Sequence, residues 1–352
     1  MKFSKLVSIL MISAMSLSFV ACSDEEMGIE VDEGRSRDYA DITATETTIT
    51  STINLGYVKD SSSIGLSNLM EDNTNQATGN VAYDFAEYSS VDDITSKFLS
   101  GKLDVAIVPT EVASILYNKT NGGIRVVAIN STNSSLNVVE TGDNIKSIAD
   151  LENKTIYAEN TSNATKYILE YILKQNNINN VKIEAKGLDE LISLVNSDKN
   201  AVGILSEPQL SETIEKNPAI KTKLKLDEEW QKSTNSELPT SCIVVSKTYS
   251  EKHPRVIRDF LQEYYDSFKA TAKDSKNAST LAEKFKITTT ATVAEKEISN
   301  TTLTYLDEDK MKAPVTNYLT VLFNSGAEMI GGQIPSDDIF YFPPKEKFKV
   351  EK

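Results

Sequence analysis

Histidine and cysteine are almost absent from this chain, and their scarcity removes most metal and nucleophilic chemistry at the outset. His253 is the single histidine, and the two cysteines, Cys22 and Cys242, stand far apart. No histidine pair, Ser/His/Asp set, metal-ligand cluster or phosphate-binding loop appears in the sequence. Cys242 lies in the apolar run "SCIVVS" and reads as a small buried residue rather than a reactive thiol. No internal disulfide is expected. Basic residues are also short: 37 Lys and Arg stand against 51 Asp and Glu, giving a net charge of −14 and a pI near 4.8. No basic stripe of the kind a phosphate backbone requires is present, which excludes nucleic acid as a partner.

Long apolar runs are scarce as well. The one sustained example, Leu6 to Ala21, follows Lys2 and Lys5 and is soon succeeded by acids. It is too short for a comfortable membrane span and has the layout of an export signal over residues 1–21. It ends in Phe19-Val20-Ala21-Cys22, which resembles the lipobox of bacterial lipoproteins, where the cysteine is lipidated and becomes the mature N-terminus. Cleavage near Ala21 as an ordinary signal, with Cys22 incidental, is the alternative. Acyl chains contribute about 0.8 kcal/mol per buried methylene, so a multiply acylated Cys22 would hold the protein at a membrane surface. Without Lys2 and Lys5 the charge moves from −14 to −16, and nine acids fall within residues 23–47 alone. Such a segment buries too little to fold, so residues 22–47 are expected to form an acidic tether.

Beyond the tether, strand-like and helix-like segments alternate. "TINLGYV", "NVAYDF", "DVAIVP" and "IRVVAI" read as strands, separated by helical patterns such as "VDDITSKFLSG", with Ser90 and Asp93 as a capping pair, and "TEVASILYNK". The pattern then restarts with "LNVVET", "TIYAE", "VKIEA" and "AVGIL" interleaved with helices, and "SCIVVSK" is a last strand before a helix-rich end. Alternation of this kind predicts an α/β fold with parallel strands and crossover helices. Two aligned stretches, "DDITSKFLSGKLDVAIVPTE" and "LDELISLVNSDKNAVGILSEP", mark two similar sets in tandem, and no Gly/Pro/Ser linker divides them. The extended runs at 125–140 and 239–247 are the expected crossovers. Lobe one is assigned residues 48–135 and 245–352, and lobe two residues 136–244.

This order of motifs resembles the solute-binding lipoproteins of ABC importers, in the nitrate/sulfonate/thiamine-precursor branch. The resemblance rests on "INLGYVKD", "GKLDVAIVPT", "SIADLENKTIYAEN", "TSNATKYILEYILKQNNI", "AVGILSEP", "LDEEWQK" and "EKHPRVIRDFLQEYYDS" standing in family order. It implies the two-lobed periplasmic-binding-protein fold of the second type, with a cleft between lobes joined by two crossover strands. It further implies capture of a small molecule, no cofactor, delivery to permease and ATPase subunits, and an extracytoplasmic, lipid-anchored monomer at a bacterial cell membrane. A tethered ligand sensor is a second possibility. A thiamine-pyrimidine-type enzyme is a third, disfavoured because the cysteine-rich motif of those enzymes is missing.

In open α/β sheets, ligands bind beyond the carboxyl ends of strands. Four polar turns occupy such places: Tyr57, Lys59, Asp60, Ser61 and Ser62; Pro109, Thr110 and Glu111; Glu159, Asn160, Thr161, Ser162 and Asn163; and Ser206 with Glu207. Asn130 joins them as a candidate contact. Hydroxyls and amides suit a small polar solute, although the same residues also cap helices. Thr110 and the first helix amides are the favoured contacts, with Glu111 as a cap. Of the five arginines, Arg35 and Arg37 lie in the tether, Arg125 opens a strand, and Arg255 and Arg258 lie in the C-terminal helix, so none is placed to grip a sulfonate or phosphate. Every turn carries a carboxylate. That favours a neutral or amine-bearing solute, such as a heteroaromatic stacked on Tyr57 or Tyr157, and leaves a small anion as the alternative.

Overall fold

The computed structural model describes residues 51–132, 136–159, 163–300 and 303–343. The chain first lays down β1 (Ser51–Val58), α1 (Ser67–Thr74), β2 (Val81–Tyr88), α2 (Val91–Leu99), β3 (Val105–Pro109), α3 (Thr110–Lys119) and β4 (Ile124–Thr132). It then builds β5 (Asn137–Glu140), β6 (Thr155–Glu159), α4 (Asn163–Gln175), β7 (Lys182–Lys186), α5 (Leu188–Ser197), β8 (Val202–Leu205), α6 (Gln209–Lys216), β9 (Lys221–Lys225) and α7 (Leu226–Thr234). It returns through β10 (Pro239–Ser246), α8 (Lys247–Lys252), α9 (Pro254–Lys273), α10 (Ser275–Lys284), α11 (Ala291–Asn300), β11 (Leu303–Asp307) and α12 (Glu308–Ser325). Among the described residues no helix is long and apolar enough to cross a membrane. Cys22, the signal and the tether lie outside those residues.

Two sheets result, one ordered β11-β4-β10-β3-β1-β2 and the other β7-β6-β8-β5-β9. Strands β1, β2 and β3 pair in parallel, as do β6, β7 and β8, because a helix carries the chain back between them. The sheets are nevertheless mixed rather than parallel throughout. β5 runs antiparallel to β8 and β9, and β10 runs antiparallel to β3 and β4. These are the strands next to the crossings, where the chain enters the opposite sheet from the cleft side. β10 pairs within the larger sheet from Pro239 to Ser246, so the expected lobe boundary at 244/245 falls inside a strand, and the return crossing precedes Pro239.

The strands that are covered on both faces have the continuous apolar runs this requires. β3 is buried over Val105–Val108, and β8 over its whole length. The helices show one buried stripe instead. In α9, Ile257, Phe260, Leu261, Tyr264 and Phe268 follow helical spacing and face the core. The expected helix at "VDDITSKFL" starts at Ser90, whose hydroxyl accepts from the Asp93 amide at 3.1 Å.

The apolar core does not stop at either sheet. One cluster runs from Ile94 and Leu116 through Met311, Tyr318 and Leu319 of α12 to Trp230, Ile168 and Leu169 on the second set. Trp230 is fully buried, with Tyr171 and Tyr318 rings at 5.3 and 6.1 Å, and its indole donates to the Glu237 carbonyl at 3.2 Å. Trp230→Ala should therefore cost about 3–5 kcal/mol in denaturant unfolding. A loss below about 1 kcal/mol would show that α7 is not anchored by this ring.

Candidate functional site

A cleft of about 290 Å³ opens between the two sheets, at the carboxyl ends of β1, β3 and β8. The turn after β1 brings Asp60, Ser61 and Ser62, and the start of α3 brings Pro109 and Glu111. Ser206 and Glu207 come from the step after β8, and Ala164, Thr165 and Ile168 from the first turns of α4. These walls match the predicted turns after the first, third and eighth strands. Residues 160–162 of the remaining turn, and the side chain of Asn163, lie outside the described residues. Glu159 ends β6, half-buried, and is not among the residues that line the cleft.

Several expected contacts are placed elsewhere. Tyr57 is buried in the apolar cluster under the larger sheet, because its position on β1 alternates away from the cleft. Tyr157 packs against the cluster of Val139 and Leu191, with the Lys186 ammonium 5.9 Å from its ring, so neither tyrosine offers a stacking face to a solute. Lys59 points outward to Glu87 at 2.8 Å. Thr110 is fully buried with its hydroxyl beside the Cys242 thiol and does not line the cleft, while Glu111 one residue on does. Asn130 supports the site from behind by donating to the Ser62 carbonyl at 2.8 Å.

Other wall residues were not read from the sequence. Thr240 and Ser241 open β10, and antiparallel pairing sets Ser241 opposite Pro109, so the polar start of "TSCIVVS" was a usable signal. Tyr318 had none, because α12 reaches the cleft only through tertiary packing. Its hydroxyl donates to Glu111 Oε2 at 3.0 Å.

The three cleft carboxylates are each held by donors of this chain. Asp60 Oδ1 accepts from the Ser62 amide at 2.9 Å and from the Ser62 hydroxyl. Glu111 accepts from Tyr318 and from its own amide. Glu207 Oε2 accepts from the Ser211 amide at 3.1 Å, and Oε1 from Asn300 Nδ2 at 2.9 Å. Burial pushes the carboxyls of Asp60 and Glu111 above their ordinary range, and these hydrogen bonds oppose the rise. No lysine or arginine lines the cleft among the described residues. Burial also pushes the Cys242 thiol up to about 12, which leaves no thiolate at neutral pH. The His253 ring packs on Tyr249 at the head of α9, outside the cleft. No group of three or more His, Cys, Asp or Glu among the described residues could hold a metal ion.

A fourth acid stands close by. Glu297 on α11 is fully buried, and desolvation, followed by the charges of Glu207, Asp60 and Glu212, pushes its carboxyl up to about 8. The folded chain therefore holds a proton that the unfolded chain releases near 4.5. Stability attributable to this group is fullest below 4.5, falls as pH rises toward 8 and levels off above it. The melting temperature of Glu297→Gln relative to the parent should rise between pH 5 and pH 8.5, and a gap independent of pH would contradict the burial. Tyr318→Phe, read by ¹³C NMR of labelled glutamate, should raise the titration midpoint of Glu111, and an unchanged midpoint would remove Tyr318 from the site.

The family model for the ABC transporter, phosphonate, periplasmic substrate-binding protein matches residues 67–297. No curated protein matches the chain by sequence. Among solved structures, an ABC transporter protein from Parabacteroides distasonis is 18% identical with a TM-score of 0.68, covering 84% of this chain and 99% of that one. The periplasmic aliphatic sulphonate binding protein SsuA of Escherichia coli is 12% identical with a TM-score of 0.66, covering 86% and 95%. A Candida albicans gene product described as having the generic periplasmic binding protein fold is 14% identical with a TM-score of 0.51, covering 82% and 92%. At these identities the likeness is one of fold, and it agrees with the two-sheet α/β architecture expected from the sequence.

Proposed function

The chain belongs to the ABC-transporter phosphonate periplasmic substrate-binding family, and from that premise we propose that it captures a small polar solute in its cleft and delivers it to an ABC permease. Capture is by closure of two lobes, one carrying the larger sheet and the other the smaller, with the chain returning just before Pro239. Lipidation of Cys22 tethers the protein outside the cytoplasm, and the acidic segment 22–47 spaces it from the membrane. It acts as a monomer and without turnover of its solute. We place it in the nitrate/sulfonate/thiamine-precursor branch on the order of motifs from "INLGYVKD" to "EKHPRVIRDF".

The observation that carries the choice of solute is the set of Asp60, Glu111 and Glu207 in a cleft that no lysine or arginine lines among the described residues. Three amides at or beside the cleft, those of Ser62, Glu111 and Ser211, already serve the chain's own carboxylates. A helix terminus favours an anion by about 0.3–1 kcal/mol. Like unit charges 4 Å apart oppose each other by ~4 kcal/mol at an effective dielectric of ~20. Repulsion wins, and the solute is neutral or amine-bearing rather than a phosphonate or sulfonate dianion.

A thermal-shift panel on the full chain, with native mass spectrometry of whatever co-purifies, tests this reading. Amine-bearing or neutral polar solutes should raise the melting temperature and alkylphosphonates and sulfonates should not; the opposite pattern would overturn it. Glu111→Gln should weaken binding of the active amine about tenfold or more, since a hydrogen bond to a charged group contributes about 1.5–3 kcal/mol. Cys22→Ser should move the protein from the membrane to the soluble fraction, and unchanged fractionation would exclude the anchor.

A further inference from the structure

α11 belongs with the larger sheet but packs on α6 of the smaller one, and three of its side chains or neighbours meet that surface. Ahead of the helix, Thr289 Oγ1 donates to Glu212 Oε1 at 3.1 Å. At its last residue, Asn300 Nδ2 donates to Glu207 Oε1 at 2.9 Å and approaches Ser211 Oγ at 3.5 Å. Between them Glu297 is wholly buried, and neither of its carboxyl oxygens has a hydrogen-bond partner. The charges acting on it are all acidic: Glu207 from the lead into α6, Glu212 from α6, and Asp60 from the turn after β1. From α10, which also packs on α11, Ala278 and Ala282 are buried and Glu283 is turned to the Ala291 amide at 3.2 Å. An ionised carboxylate here would be desolvated, unpaired and surrounded by like charge, which is among the costliest arrangements in a protein interior.

We propose that Glu297 is a positioning residue for lobe closure: as a neutral acid it lets α11 seat on α6 and complete the Asn300–Glu207 bond, and on losing its proton it drives that seam apart. The assignment builds on the two-lobed capture described above. Its chemistry is a single proton passing from the Glu297 carboxyl to water, with no other bond made or broken. Burial and the three facing acids push the Glu297 carboxyl up to about 8 with α11 seated on α6. Opening the seam exposes it to water and returns it toward the ordinary glutamate value near 4.5. The seated seam binds the proton more tightly, so it is strongest at low pH. It weakens about tenfold per pH unit as pH rises toward 8, and is flat beyond.

Small-angle X-ray scattering of the solute-free full chain at pH 5.5 and pH 9 reads this directly. The parent should expand at the higher pH, and Glu297→Gln, which keeps the shape of the side chain without a titrating proton, should hold the same radius of gyration at both. A parent whose radius ignores pH, or a variant that expands as the parent does, would overturn the assignment. Should Glu297→Gln fail to fold, Glu207→Gln removes one facing charge and should reduce the expansion; an expansion equal to the parent's would count equally against it. Because no solute is present, failure here leaves the choice of solute untouched, and failure of the thermal-shift panel leaves this result standing.

Discussion

The return of β10 into the larger sheet is the constraint on which the rest of the structure depends. A strand inserted antiparallel between β3 and β4 forces the chain to leave that sheet once and come back once. It therefore ties the two sheets together at two places and brings the carboxyl ends of β1 and β3 to face that of β8 across a gap. It also fixes which end of β10 sees the gap. Thr240 and Ser241 start the strand beside Pro109, where β3 is ending. A polar cleft floor and a wholly buried strand are thus two ends of one element.

Among the described residues, two seams of opposite chemistry join the sheets. One is apolar, with Trp230 between Tyr171 and Tyr318. The other is polar and acidic, with Asn300 on Glu207 and the unpartnered Glu297 beside them. Apolar contacts are non-directional and tolerate small rotations, whereas a hydrogen bond weakens steeply with angle. The first seam is insensitive to small rotations, and the second is not. The cleft lies against both, since Tyr318 and Glu207 each contribute to its wall.

Much of the fold was legible because it rests on local pattern. Continuous apolar runs marked β3 and β8, helical spacing marked α9, and the order of strands and helices marked two sets in tandem. Antiparallel pairing of β5 and β10 was not legible, because direction within a sheet depends on where the chain crosses and leaves no periodicity. Of the site, the turns at Asp60–Ser62, Pro109–Glu111 and Ser206–Glu207 could be read as polar endings of buried strands. Individual side-chain directions could not: a shift of one residue exchanges the faces of a strand or turn, which is why Tyr57 is buried and Glu111, not Thr110, faces the gap. Glu297 and Tyr318 were invisible because nothing in "AEKEISN" or "TNYLTV" distinguishes an acid or phenol turned inward from one in water.

Tyr318 lies late in the chain and still completes the cleft wall, holding Glu111 from a helix that follows every strand of both sheets. Without α12 the Glu111 carboxylate lacks its phenolic donor and the core cluster lacks Met311 and Leu319. One late helix therefore serves both the cleft wall and the core, so a chain cut short before α12 would lose a wall of the site and part of its packing in the same stroke.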